Sequence, residues 1–207
     1  MRTSLSEWVT QLKEKARPYL LQGRQNDWEH TLRALEYGKD LLKEEGGDPE
    51  IVITSLILHD IGWSQVPKDD FFQAPIFEKK DTPSAREHME QGALLARQIL
   101  EELGFPAEKM EKVLTIIAHH DQREVIQSLE LLEATLVFEA DRLDRFGPES
   151  RRRYEKMFGP DFLQEGRRYL LEGAKVWFQT STGKRMVPEI LGQDQPMLKD
   201  EFANKGD

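Results

Sequence analysis

The twelve residues IVITSLILHDIG, 51–62, constrain the fold more than any other part of this chain. Asp48-Pro49-Glu50 stands directly before them, an aspartate cap with proline at the first helical position, so the run is expected to start as a helix. Its β-branched residues would also suit a strand, but the cap and the helical periods on either side favour helix. A helix with almost no polar face is buried nearly all round. This one ends its apolar stretch on His59-Asp60, an ionisable pair that burial alone would penalise.

The remaining segments also have helical periods. Leu5, Trp8, Val9 and Leu12 mark a first helix over 4–16, ended by Pro18. Asn26-Asp27 are plausible caps for a second, which runs to about Glu45 and stops at Gly46-Gly47. Further helices are expected from Thr82 to Leu103, from Pro106 to His120, from about Ser128 to Asp141 and from about Pro160 to Thr182. Residues 62–81, with Pro67, Pro75 and several aromatic residues, read as a long loop and a candidate lid over His59 and Asp60. After Pro188 the tail lacks a period and is expected to be extended or frayed. The expected fold is therefore all-α and single-domain, a helical bundle.

Composition removes several function classes. At 24.1 kDa, with 38% apolar residues, the chain can bury one good-sized core. There is no apolar run of transmembrane length and no signal-peptide order at the amino terminus, so no membrane association is expected and the cytoplasm is the default compartment. A net charge of −9 argues against a general nucleic-acid binder. With zero cysteines, any metal must be held by nitrogen and oxygen.

The chain has five histidines, His30, His59, His88, His119 and His120, each in or beside an amphipathic segment. Separate helices projecting imidazole and carboxylate inward can enclose an ion between packed faces. His30, then His59-Asp60 within ILHDIG, then Asp141 within EADRLDRFG resemble the defining pattern of the HD superfamily of metal-dependent phosphohydrolases. The resemblance covers about residues 26–147. It implies an HD-type bundle with a metal site between central helices. Residues 1–25 would then be a helix packing on that core, 148–187 helices completing the same domain, and 188–207 an extended or flexible tail.

His88 and the doublet His119-His120 make the chain similar to the dinuclear branch of that superfamily. The resemblance implies Asp60 as a bridge, with His30, His59 and Asp141 on one ion and His88 plus a member of the doublet on the other. Either Fe, Mn, Co, Ni or Zn suits such ligands. Within the doublet two readings compete. Periodicity puts His120 on the core-facing stripe with Val113 and Ile117; the family pattern favours His119, which ranks first, with His120 as a second ligand or a substrate-facing acid.

The expected activity is hydrolysis of a phosphomonoester, nucleotide or phosphoanhydride by metal-activated water, with Asp60, His119 and His120 as catalytic residues. The partner would be a small anionic substrate. Arg142 and Arg145 are candidates to bind it, against a plain ion pair with Glu139 or Asp144. Lys68, Lys79 and Lys80 lie in or beside the candidate lid, and Trp63 and Phe71-Phe72 could stack on a base, although ordinary surface lysines and a loop core are the blander readings. Asp144 could accept a hydrogen bond from a ligand imidazole. Arg151-Arg152-Arg153 read as a solvated helix face balanced by Glu149 and Glu155.

Trp63 stands where cyclic-dinucleotide phosphodiesterases of the family typically have lysine, and their glycine-tyrosine-proline signature is missing, which disfavours that activity. Two other classes compete with the hydrolase: a di-iron oxygenase of the dinuclear branch acting on a small organic substrate, and a metal-stabilised binding or signalling module without turnover. The apolar stripes of the first and last helices could complete one core or pair with a second copy in a homodimer.

Overall fold

A computed structural model describes residues 4–70, 82–158 and 162–194. Among these the chain forms helices only. They are α1 (Leu5–Gln22), α2 (Asp27–Glu45), α3 (Pro49–Leu58), α4 (Pro83–Glu102), α5 (Ala107–His119), α6 (Arg123–Ser128), α7 (Leu132–Asp144), α8 (Pro148–Phe158), α9 (Phe162–Trp177) and α10 (Ser181–Asp194). Two 3-10 helices, Ile61–Gln65 and Lys68–Asp70, follow α3.

The apolar run folds as its cap predicts. Asp48 accepts a hydrogen bond from Glu50 N at 2.9 Å, Pro49 occupies the first turn, and every residue from Ile51 to Leu58 is buried. α1, α2, α5 and α7 all pack on α3. Each fully buried Ile or Leu contributes about 1.5–3 kcal/mol, which holds this helix at the centre. Of its two buried hydroxyls, Thr54 and Ser55, Thr54 Oγ1 accepts from Trp8 Nε1 at 2.9 Å.

Gly62 shows why the run ends on glycine. A Cβ there would lie 1.9 Å from His88 O and 2.4 Å from Gly92 N, both backbone atoms of α4. The 3-10 helix after Asp60 therefore lies directly against α4, which starts with Thr82 accepting from Ala85 N at 3.2 Å and buries His88, Met89, Gly92 and Ala96 on one stripe.

Four sequence expectations change. α1 runs through Pro18 to Gln22, because Ala16 and Leu20 on either side of it are buried and the capping box of Ser4 and Glu7 secures its start. Asn26 is left-handed (φ 71°) and its side chain makes no cap bond. The helix expected from Ser128 starts instead at Leu132, and a short α6 that was not expected ends at Ser128, with Glu130 (φ 50°) in the turn between them. α10 continues through Pro188 to Asp194 where a tail was expected: Thr180 Oγ1 caps it through Gly183 N, and Met186, Val187 and Leu191 are buried. That packing outweighs the one hydrogen bond Pro188 removes. Of the expected lid, Ile61–Gln65 and Lys68–Asp70 are ordered turns; Phe71, Phe72, Phe77, Lys79 and Lys80 lie outside the described residues.

Candidate metal centre

Five helices, two of them through the residues that follow their last turn, deliver one cluster of side chains. α2 contributes His30 in its first turns, the C-terminal end of α3 contributes His59 and Asp60, α4 contributes His88, the end of α5 contributes His120, and α7 contributes Asp141. All six are buried. They form two groups, His30, His59 and Asp141 in one and Asp60, His88 and His120 in the other, and within each group the potential ligand atoms lie within 4.8 Å of one another.

Asp60 faces both groups. Its Oδ2 lies 3.4 Å from His59 Nε2 and 3.6 Å from His30 Nε2. Its Oδ1 lies 3.6 Å from His120 Nε2 and 3.8 Å from His88 Nε2. Asp141 Oδ1 completes the first group at 3.0 Å from His30 Nε2.

The outward ring nitrogens determine what the inward ones can do. His30 Nδ1 faces Asp144 Oδ2 at 2.7 Å, His59 Nδ1 faces Leu56 O at 2.8 Å, and His120 Nδ1 faces Ile117 O at 2.8 Å. Carbonyl and carboxylate oxygens only accept, so each Nδ1 donates and a neutral ring keeps its lone pair on Nε2. His30 Nε2 and His59 Nε2 are 3.2 Å apart, and His88 Nε2 and His120 Nε2 are 3.3 Å apart. Lone pairs at such separations repel unless a proton or a metal cation lies between them. Buried imidazole and carboxylate donors arranged in this way fit divalent transition metals.

Without a cation the same crowding appears as displaced proton affinities. Burial opposes a charged His30, but hydrogen bonds to Asp141 and Asp144 raise it to about 10. Burial and the neighbouring His120 push His88 down to about 3. Burial would raise Asp60, yet Arg24 and the histidines hold it well below the usual carboxylate range, and Arg142 and His30 do the same for Asp141. Asp144 is held at about 2, against its burial, by His30 and Arg33.

Within the doublet the helix sends the two rings different ways. Consecutive residues are about 100° apart on a helix, so only one can share the buried stripe of Val113 and Ile117. His120 does, and is 1% exposed. His119 is half-buried and its Nδ1 lies 2.7 Å from Gln122 Oε1, away from both groups. The order expected from the family pattern is reversed here, and the periodicity is followed.

The residues expected to meet substrate are distributed differently too. Trp63 is 3% exposed. It stacks on His88 with ring centroids 4.1 Å apart, lies 4.3 Å from the Arg24 guanidinium and donates to Asp60 Oδ1 at 3.1 Å, so its ring is occupied by the centre itself. Arg142 is buried and paired with Asp141 Oδ2 and with Asp121 Oδ1, the latter at 2.6 Å. Its partners are thus Asp141 and Asp121, not the expected Glu139 or Asp144. Arg145, its side chain 21% exposed, lies 3.5 Å from Asp121 and 3.7 Å from Asp141. Lys68 is exposed on its 3-10 helix. Arg151 and Arg152 pair with Glu155 and Glu149 as a solvated face should.

Two residues at the centre carry no signal in the sequence. Arg24, in the turn between α1 and α2, donates to Asp60 Oδ2 at 2.5 Å and is anchored by Asp27 at 3.0 Å. Asp121, directly after the doublet, places Oδ2 3.6 Å from His88 Nε2. A lone arginine in a turn and an aspartate after a helix are ordinary, and only the folded chain brings them to the histidines.

No curated protein matches the chain. Among solved structures it is similar to a predicted HD-superfamily hydrolase from an uncultured Thermotogales bacterium, at 20% identity over 96% of this chain and 91% of that one, with a TM-score of 0.59. An HD-superfamily hydrolase of Bacillus thuringiensis matches at 20% identity over 98% and 100%, with a TM-score of 0.63. The YpgQ protein of Bacillus subtilis matches at 19% identity over 96% and 98%, with a TM-score of 0.59. These likenesses establish a shared fold. The model of the HD domain family matches residues 27–145, from the first residue of α2 to just past α7, and on that match the chain belongs to the HD domain family.

Proposed function

We propose that this protein is a metal-dependent phosphohydrolase with two ions, acting on a small phosphate-containing substrate. The observation that carries this reading is the division of Asp60, with one oxygen toward His30 and His59 and the other toward His88 and His120. A carboxylate so placed would be shared by two ions. His30, His59 and Asp141 would hold one ion, His88 and His120 the other. Such a pair, when bound, supplies Lewis acidity that acidifies water and neutralises charge on phosphoryl oxygens.

The chain's own groups prepare that chemistry. Asp144 and the Leu56 and Ile117 carbonyls fix the orientation and tautomer of three imidazoles, so the ligand atoms need no reorganisation on binding. Burial keeps bulk water from competing with these ligands. Arg24 and Arg145, with side chains 18% and 21% exposed, are partly exposed cations beside the centre that suit a substrate phosphate; the exposed Lys68 is a further candidate. Two structural relatives, the predicted hydrolase of the Thermotogales bacterium and the hydrolase of Bacillus thuringiensis, support the reaction class.

The test is a panel of nucleotides, dinucleotides and simple phosphoesters assayed under anaerobic conditions with Mn, Co, Ni or Zn. Release of phosphate or pyrophosphate from at least one substrate is expected. No turnover across the panel, together with oxygen uptake by the iron-loaded protein, would contradict the proposal and favour oxygenase chemistry.

A further inference from the structure

Asp121 repeats the arrangement of Asp141 on the other side of the centre. Asp141 turns Oδ2 to Arg142 Nη1 and Oδ1 to His30 Nε2. Asp121 turns Oδ1 to Arg142 Nη2 at 2.6 Å and Oδ2 to His88 Nε2 at 3.6 Å and His120 Nε2 at 3.9 Å. One guanidinium thus ties two carboxylates, and each presents its free oxygen to a different pair of histidines. The ligand-to-ligand spacings at Asp121 match those between Asp60 and the same two rings, 3.8 and 3.6 Å.

We propose that Asp121 is a ligand of the second ion, giving that site two carboxylates, Asp60 and Asp121, with His88 and His120. The inference rests on the dinuclear reading above. It explains why Arg142, buried beside Phe138 at 4.6 Å, is placed where its fork spans the two carboxylates: it holds both in position and offsets their repulsion when the ions are absent. It also balances the centre, since each ion receives one terminal carboxylate, shares Asp60 and takes two imidazoles. Arg142 is then a positioning residue and not a substrate contact.

The test titrates Mn²⁺ into the metal-free full-length protein and its Asp121→Asn variant, read by calorimetry and by the paramagnetic signal of the coupled pair. Asparagine keeps an oxygen for Arg142 but turns an amide toward the histidines. Loss of an outer partner alone typically weakens metal binding ~10–100-fold, so loss of a direct ligand should weaken the second ion by about 100-fold or more while the first binds as before. Should the asparagine variant fold poorly by circular dichroism, Asp121→Ser carries the same comparison. Two ions with unchanged affinity in the variant overturn the role of Asp121 and leave the dinuclear reading intact. A single ion in the wild-type protein overturns both.

Discussion

Asp144 Oδ2 accepts a hydrogen bond from His30 Nδ1 at 2.7 Å and is itself held by Arg33, which reaches Oδ1 at 2.6 Å, and by Ser150 Oγ at 3.0 Å. The aspartate does not face the centre. It fixes the imidazole that does, and Asp144→Ala should lower metal affinity at the first site by roughly 10–100-fold without removing a ligand. Titration calorimetry checks this, and wild-type affinity in the variant would contradict it.

Gly62 sets the separation between Asp60 and His88. The Cβ of an alanine would overlap backbone atoms of α4, which cannot rotate away. Gly62→Ala is expected to cost at least about 1–3 kcal/mol in urea unfolding and to weaken the second ion in particular. An unchanged unfolding midpoint would show that α4 moves without cost.

His119 and His120 should separate cleanly under substitution. His120→Ala removes a ring from the second group, whereas His119→Ala removes a hydrogen bond to Gln122 at the edge of the centre. Metal content per chain should fall for the first variant and hold for the second. The opposite outcome would restore the order that the family pattern suggests.

In the metal-free protein His30 is raised from an ordinary 6.5 to about 10, so its stabilising contribution is complete below about pH 6.5 and disappears as pH rises toward 10. Asp144 works at the other end: lowered from 3.8 to about 2, it stabilises above about pH 4 and loses that contribution as pH falls toward 2. Urea unfolding of the metal-free protein should therefore weaken from pH 6.5 to 9.5, and His30→Gln should flatten that slope. A slope of equal size in the variant would assign it to other groups.

Much of this was legible before folding was considered. Asp48-Pro49 and the apolar run announce α3, and the order of His30, His59-Asp60 and Asp141 announces the centre, because both signals are local in sequence. What stayed hidden depends on tertiary placement. The helical persistence of α1 through Pro18 and α10 through Pro188 is set by burial of Leu20 and Leu191 against other elements, and local propensity alone predicts a stop at each. Arg24 and Asp121 have no periodicity to mark them. The doublet is instructive in the other direction: the stripe of Val113, Ile117 and His120 pointed to the buried ring, and the borrowed pattern to its neighbour.

Metal stoichiometry decides whether Asp60 bridges two ions. Equilibrium dialysis with Mn²⁺, followed by elemental analysis, should give two ions per wild-type chain and none retained by Asp60→Ala, with phosphohydrolase activity lost alongside. Two ions and full activity in the Asp60→Ala protein would contradict the bridging role of Asp60.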